Sequence, residues 1–485
     1  MRRSNTYNFI FLLYVLSAFF CDVIAKDYVV DKKNIYCNDE TGKPFCSLSA
    51  AIAVSQAEDI IYLYPNRHVG SFKIEHSLSL IAVNNVPPVL DGNQINAVIH
   101  ILPNAHVRMQ GIIVENGHAE KGAGILNQGS LVLIDSVVRY NRAKYSGGGI
   151  YNGGARSTKL HIINSRILHN HALGDDKYNI KYGGGGIYND AELQIANSIL
   201  SGNRAVNNGG AIYSVFSSRT IASAGERAAE SMGIATSPKR AKSLNRKQDT
   251  NSVTLHKVRM QLNEANAGGG INLHGVMKIT DSFIDSNKAV TNRFSSGGGI
   301  YAHMDTFLTV INSTISRNTA KYSGGGIRFY STNSGELYNV SIVDNKVDIQ
   351  GQGAGLYIVG LNKKFSVANS IIARNSKVNN KASDCDGEIT SMGYNFVGYT
   401  DQCRWQDSTG DILGRDQGRL EPGLIWQKNK QRYILALDSI AKNRGNPAGC
   451  RDENNKLIRH DQYGKPRDSR CDIGSIEYTG LEYRS

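Results

Sequence analysis

Cysteine and tryptophan are missing from the whole middle of this 485-residue chain. Six of its seven cysteines stand at Cys37, Cys46, Cys385, Cys403, Cys450 and Cys471, and the seventh, Cys21, lies near the start. Residues 59–375 therefore hold no disulfide and no thiolate metal site. Both tryptophans, Trp405 and Trp426, come late, so that stretch also lacks the side chain most used to stack on sugars. The only adjacent acidic pair in the repeating body is Asp175-Asp176, within a segment that breaks the repeat. The 12 histidines show no repeated spacing, so neither metal ion nor cofactor is expected. Long apolar runs are also missing. The stretch from Phe9 to Phe20 falls short of the roughly 20 residues a spanning helix needs, so no transmembrane segment is expected in the mature chain.

Glycine, by contrast, is abundant, with 50 residues, and it is placed periodically. A Gly-Gly-Gly-Ile phrase or a close variant ends at Ile125, Ile150, Ile187, Ile212, Ile271, Ile300, Ile327 and Leu356. A second phrase, Asp/Asn-Ser-x-Ile-x-x-Asn, runs in step and ends at Asn141, Asn170, Asn203, Asn263, Asn287, Asn318, Asn345 and Asn375. Successive anchors are 25 to 29 residues apart, apart from two longer gaps of 37 and 59. Such a period fixes an architecture before any local assignment. Apolar residues alternate within each unit, as in Leu131-Val132-Leu133-Ile134, which is a strand pattern. The glycines would each cost a helix about 1 kcal/mol relative to alanine, yet they suit tight corners. Three short strands and three turns per unit describe an all-β, right-handed parallel β-helix. Its asparagines are expected to form a structural ladder at one corner, amide upon amide, beginning with Asn116.

The two ends read differently. Arg2 and Arg3, the apolar run and Val23-Ile24-Ala25 form a secretion signal over residues 1–25, with cleavage after Ala25. An exported chain with six remaining cysteines points to disulfides. Of the many possible connectivities, the economical one joins neighbours, Cys37 with Cys46, Cys385 with Cys403 and Cys450 with Cys471. An uncapped solenoid exposes unpaired edges. Residues 26–58 are expected to supply an N-terminal cap with an amphipathic helix starting after Ser47. Residues 59–375 would form the coils, and 376–485 a turn-rich, disulfide-bonded C-terminal cap.

These features resemble a known family. The opening Cys46-Ser47-Leu48-Ser49-Ala50-Ala51-Ile52, the glycine-rich coils, Asp384-Cys385 with Gly393-Tyr394-Asn395-Phe396, and Asp461-Gln462-Tyr463-Gly464-Lys465-Pro466-Arg467 with Cys471-Asp472-Ile473-Gly474-Ser475-Ile476-Glu477 are similar to exported bacterial right-handed, pectate-lyase-like β-helix proteins with a choice-of-anchor Q region. The repeats are also similar to those of chlamydial polymorphic outer-membrane proteins. The resemblance implies this fold and a secreted, periplasmic or cell-surface location. After Glu477 the chain reaches Ser485 with no sorting motif, no apolar tail and no room for a membrane β-barrel, so anchored and released states both stay open.

Function is sought on the outside of the coils. If each anchor Ile points inward, its neighbour points outward. That row reads Tyr151, Tyr188, Tyr213, Asn272, Tyr301, Arg328 and Tyr357, and its tyrosines are the candidate glycan-binding residues. The formal charge is +13, of which the leader's Arg2, Arg3 and Asp22 supply one. Much of the rest gathers in an insertion at about 217–251, whose Lys239, Arg240, Lys242, Arg246 and Lys247 form a candidate electrostatic loop. A secreted chain without a recognised module is not expected to bind nucleic acid. The expected role is that of a non-enzymatic, adhesin-like protein for anionic polysaccharide, lipopolysaccharide or host surfaces. The alternative is a lyase or glycoside hydrolase acting on acidic polysaccharide, assembled from scattered coils. Asp175-Asp176 lacks the Gly-His-Gly and Arg-Ile-Lys companions of pectin hydrolases, and no catalytic residue is assigned.

Overall fold

The computed structural model describes residues 25–155, 157–174, 182–215, 252–290, 295–359, 364–415, 418–478 and 480. The signal segment through residue 24, the Asp175-Asp176 pair and the basic loop with Lys239, Arg240, Lys242, Arg246 and Lys247 lie outside the described residues. What remains is a parallel β-helix. Ile99, Ile125, Ile150, Ile187, Ile212, Ile271, Ile300, Ile327 and Leu356 pair in register from coil to coil. All nine side chains are buried, each contributing about 1.5–3 kcal/mol of hydrophobic stabilisation.

A coil contains four strand segments rather than the three expected. One coil runs Ile187–Asn189, Glu192–Ala196, Ile199–Ser201 and Arg204–Ala205. A bend at Asp190 and Ala191 splits what the alternation suggested was one strand. Two further corners use the left-handed region. Asp135, Asn164, Asn197, Asp281, Asn312, Asn339 and Asn369 have φ between 46° and 55°, which Asn and Asp tolerate best among non-glycine residues. The serine that follows accepts a backbone N–H from the preceding coil, as Ser165 Oγ does from Ser136 and Ser198 Oγ from Ser165. This is the physical content of the Asn/Asp-Ser phrase. The glycine corner has a steric reason: a Cβ on Gly148 would fall 2.5 Å from the carbonyl oxygen of Gly185 in the next coil.

The eight asparagines stack at the second left-handed corner. Each Nδ2 from Asn141 to Asn345 donates to the Oδ1 of the next at 2.9–3.1 Å. Asn375 donates to Asp384 Oδ1 at 3.0 Å, so a carboxyl terminates the row. Asn116 does not begin it. Its φ of 57° places it at the preceding turn position, and Gly117 occupies the rung, its N–H donating to Asn141 Oδ1 at 2.8 Å. A second asparagine row was not expected. Asn127 donates to Asn152 and Asn152 to Asn189, both at 2.7 Å, and Asn189 donates to Ser214 Oγ at 3.2 Å. From Leu273 onward the same inward place is apolar.

At the start, Asp27–Val30 already pairs with Asp59–Leu63. The short helix Leu48–Val54 covers that coil with Leu48 and Ala51, capped by Ser47 Oγ accepting from the Ala50 N–H. The bridges are Cys37–Cys46, Cys385–Cys403 and Cys450–Cys471. Parallel pairing continues beyond residue 375, through Cys385–Ser391 to Cys403–Gln406. The rest of the C-terminal region is less an end plug than a flank. A hairpin of Leu424–Gln427 and Arg432–Leu435 and the segment after it lie back along earlier coils. Gln462 Nε2 donates to Ser282 O, and Ser475 Oγ meets Ser341 Oγ at 3.0 Å. Trp426 stacks on Phe283 and lies 3.4 Å beneath the Arg317 guanidinium. No helix among the described residues is long and apolar enough to cross a membrane.

Candidate functional site

The row of tyrosines is in register but interrupted by Asn272 and Arg328, and its first three rings are spent on one another. Tyr151 stacks on Tyr188 with ring centroids 4.7 Å apart. Tyr188 meets Tyr213 edge-on at 5.6 Å. Tyr213 is only 5% exposed, which corrects its expected place on an open surface. Rings on both sides cover it, because the row continues into two histidines. His274 lies 6.3 Å from Tyr213 and 4.1 Å from His303, which in turn stacks on Tyr301. Arg328 then lies over both Tyr301 and Tyr357. Asn272 is buried and donates to Asn208 Oδ1 at 2.9 Å.

The histidines carry a signal that escaped the composition-level reading. Each stands three places after its anchor Ile, so their spacing is one coil. Burial lowers both, His303 to about 3 with help from His274 and Arg328. Burial likewise raises the Tyr188 and Tyr213 hydroxyls, the latter to about 12. At neutral pH this ridge is therefore an uncharged stack, with Arg328 and the Lys121 ammonium over Tyr151 as its cations. Tyr151, Tyr188, Tyr301 and Tyr357 remain partly exposed along its crest.

Across the glycine corner lies a second surface, which the sequence reading missed. The residue after each rung of the ladder stands on the fourth strand of the coil, and every one but Ser376 is at least partly exposed. In register these are His118, Arg142, His171, Arg204, Glu264, Lys288, Thr319, Lys346 and Ser376. The four lysines and arginines are exposed. Glu264 supplies the one carboxylate of this row and pairs with Arg204 at 3.3 Å. His171 sits between Arg142 and Arg204. Its burial and these two cations lower it to about 4, so it is neutral at physiological pH. The signal that could have found this row is simple: read the residue following each conserved-phase asparagine.

Carboxylates of neighbouring coils meet at Asp91 and Glu115, which pair in register. All four of their oxygens are engaged. Arg67 donates to both, Arg139 Nε donates to Glu115 at 2.7 Å, and the Asn93 N–H donates to Asp91 at 2.9 Å. Such a saturated pair can hold two coils together, but it has no lone oxygen placed for proton transfer. Asp384 and Asp386 are also separated in role. Asp384 ends the asparagine ladder in the interior, whereas Asp386 continues the row of Tyr357 on the outside. Among the described residues no three His, Cys, Asp or Glu side chains form a metal-binding group.

Residues 197–215 match the repeat of the Chlamydia polymorphic membrane protein family. No curated protein sequence matches the chain. Among solved structures, pectate lyase Pel9A is 12% identical, covering 94% of this chain and 96% of its own, with a TM-score of 0.46. XylC in complex with xylose is 8% identical, covering 93% and 98%, with a TM-score of 0.47. A rhamnogalacturonan lyase is 11% identical, covering 90% and 95%, with a TM-score of 0.33. Likenesses this distant carry no substrate or reaction over to this chain.

Proposed function

We propose that this protein is an exported β-helix that binds anionic polysaccharide, on an envelope or on a host surface, through the row Arg142, Arg204, Lys288 and Lys346. The observation that carries this reading is the register itself: parallel pairing sets four exposed cations on one line against a single carboxylate. An anionic polymer carries condensed counterions, and exposed lysines and arginines displace them on binding, as for other polyelectrolytes. The aromatic ridge across the corner supports the same reading, since its partly exposed rings offer apolar faces beside the cations. A formal charge of +13 for the whole chain, of which residues 1–25 supply only one, agrees with an acidic partner. The proposal does not depend on the tyrosines alone, because Tyr151, Tyr188 and Tyr213 stack on one another and Tyr301 and Tyr357 lie against His303 and Arg328.

Changing Arg142, Arg204, Lys288 and Lys346 together to threonine, the residue Thr319 already places in this row, tests the proposal. Heparin binding should weaken at least tenfold with a flatter salt dependence, since each exposed ion pair is worth up to about 1 kcal/mol. The melting temperature should hardly move. Unchanged affinity in titration calorimetry would remove the row from consideration. Export belongs to the same proposal. Mass mapping of protein recovered from outside the cell should find Lys26 as the first residue, and retention of residues 1–25 would argue against it.

A further inference from the structure

The row has a rhythm as well as a charge. From Arg142 to Lys346 the rungs read arginine, histidine, arginine, glutamate, lysine, threonine, lysine, so a cation stands on every second coil. Resting on the glycan-binding reading above, we infer that the row selects an extended acidic polysaccharide whose anionic group recurs on every second sugar and whose chain lies along the axis of the coils.

Three observations converge on this. Coils stack about 4.8 Å apart, so alternate rungs hold cations about 10 Å apart. An extended pyranose chain advances close to one rung per sugar, so its disaccharide repeat matches the cation repeat. The spacing also exceeds the Debye length of about 8 Å at physiological ionic strength, so neighbouring cations act separately and phase matters. The intervening rungs complete the pattern. His171 is uncharged, partly buried and flanked by arginines. Thr319 offers a neutral hydroxyl. Glu264 is negative, and even with Arg204 beside it at 3.3 Å it opposes a polymer that presents an anion at each sugar. A repulsive element between attractive ones is how a surface discriminates among ligands of the same sign.

The test compares hyaluronan, with one carboxylate per disaccharide, and polygalacturonate, with one on every sugar, at equal carboxylate concentration and physiological salt. The wild-type chain should favour hyaluronan roughly fivefold or more, the scale of one well-placed exposed pair. Exchanging Lys288→Thr together with Thr319→Lys keeps the net charge but moves one cation a single rung. That variant should lose most of the preference. Glu264→Lys should raise polygalacturonate affinity above that for hyaluronan. Equal binding of both polymers by the wild-type chain, or a preference untouched by the exchange, overturns the phase inference while leaving the glycan site standing. Failure of the wild-type chain to bind hyaluronan, polygalacturonate or heparin overturns the site and the inference together. Thermal unfolding of each variant confirms that the coils remain intact.

Discussion

Replacing Arg467 with alanine is expected to cost about 3–5 kcal/mol, the usual effect of leaving one member of a buried ion pair alone. The side chains of Arg467 and Glu477 are 1% and 2% exposed and meet at 2.9 Å. Arg467 Nη2 also donates to Asn312 Oδ1 at 2.7 Å, joining the C-terminal flank to the coils. Glu477 is meanwhile held by the backbone N–H groups of Asp468 and Asp472. Removing the guanidinium therefore strands a carboxylate and an amide oxygen away from water. Chemical denaturation followed by Trp426 fluorescence reads the loss, because Trp426, in the flank's hairpin, stacks on Phe283 of the coils. A cost below about 1 kcal/mol would mean that this pair is solvated in solution. The double change Arg467→Met with Glu477→Leu should be much milder, since no charge is left unpaired.

Stability should also fall as pH rises from about 4 to 7, through Asp384. This carboxyl is buried, and burial lifts it from 3.8 to about 7, although the Asn375 N–H and amide and the charge of Arg419 pull the other way and Glu421 adds to the lift. Its Oδ1 accepts from the backbone N–H and Nδ2 of Asn375. Its Oδ2 is buried without a partner, as suits a protonated acid. The sign follows from linkage. The folded chain keeps a proton that the unfolded chain releases above pH 3.8. The resulting stabilisation is complete below that value and is lost as pH climbs through about 7. It amounts at most to about 4 kcal/mol. Burial and Asp472 raise the Glu477 carboxyl as well, so the measurement compares wild type with Asp384→Asn. The asparagine variant should show a flatter stability profile over this range, and identical slopes would exclude Asp384 as the source.

The repeat, the inward anchors and the corner asparagines were legible because they recur at the coil period, and recurrence reports stacking directly. The paired cysteines were legible because each partner is near in sequence, 9, 18 and 21 residues away. Other features were hidden for identifiable reasons. Asn152 and Asn189 follow the anchor by two places, but their row ends at Ser214, so it lacks the persistence that makes a ladder visible. The cationic row varies in residue type from rung to rung, and only its position after the corner asparagine is constant. His274 and His303 share an offset that a count of histidines cannot reveal. The flank was out of reach altogether. Gln462 bonds to Ser282 across 180 residues, and nothing periodic announces such a contact.

The flank gives the solenoid a direction. Coils that touch only their neighbours would peel like a spring from either end. Here Lys278–Glu453, Asn312–Arg467, Ser341–Ser475 and Asn369–Asp472 tie later coils to one strap. Tension applied at the N-terminus meets one rung at a time and should release the coils in small steps down to Arg259, which donates to the Gln431 carbonyl of the flank. Tension at the C-terminus loads the whole strap in shear before any coil can part. A tether at one end would then leave a compliant arm, and a tether at the other a stiff one, so the chain is a mechanically polar rod.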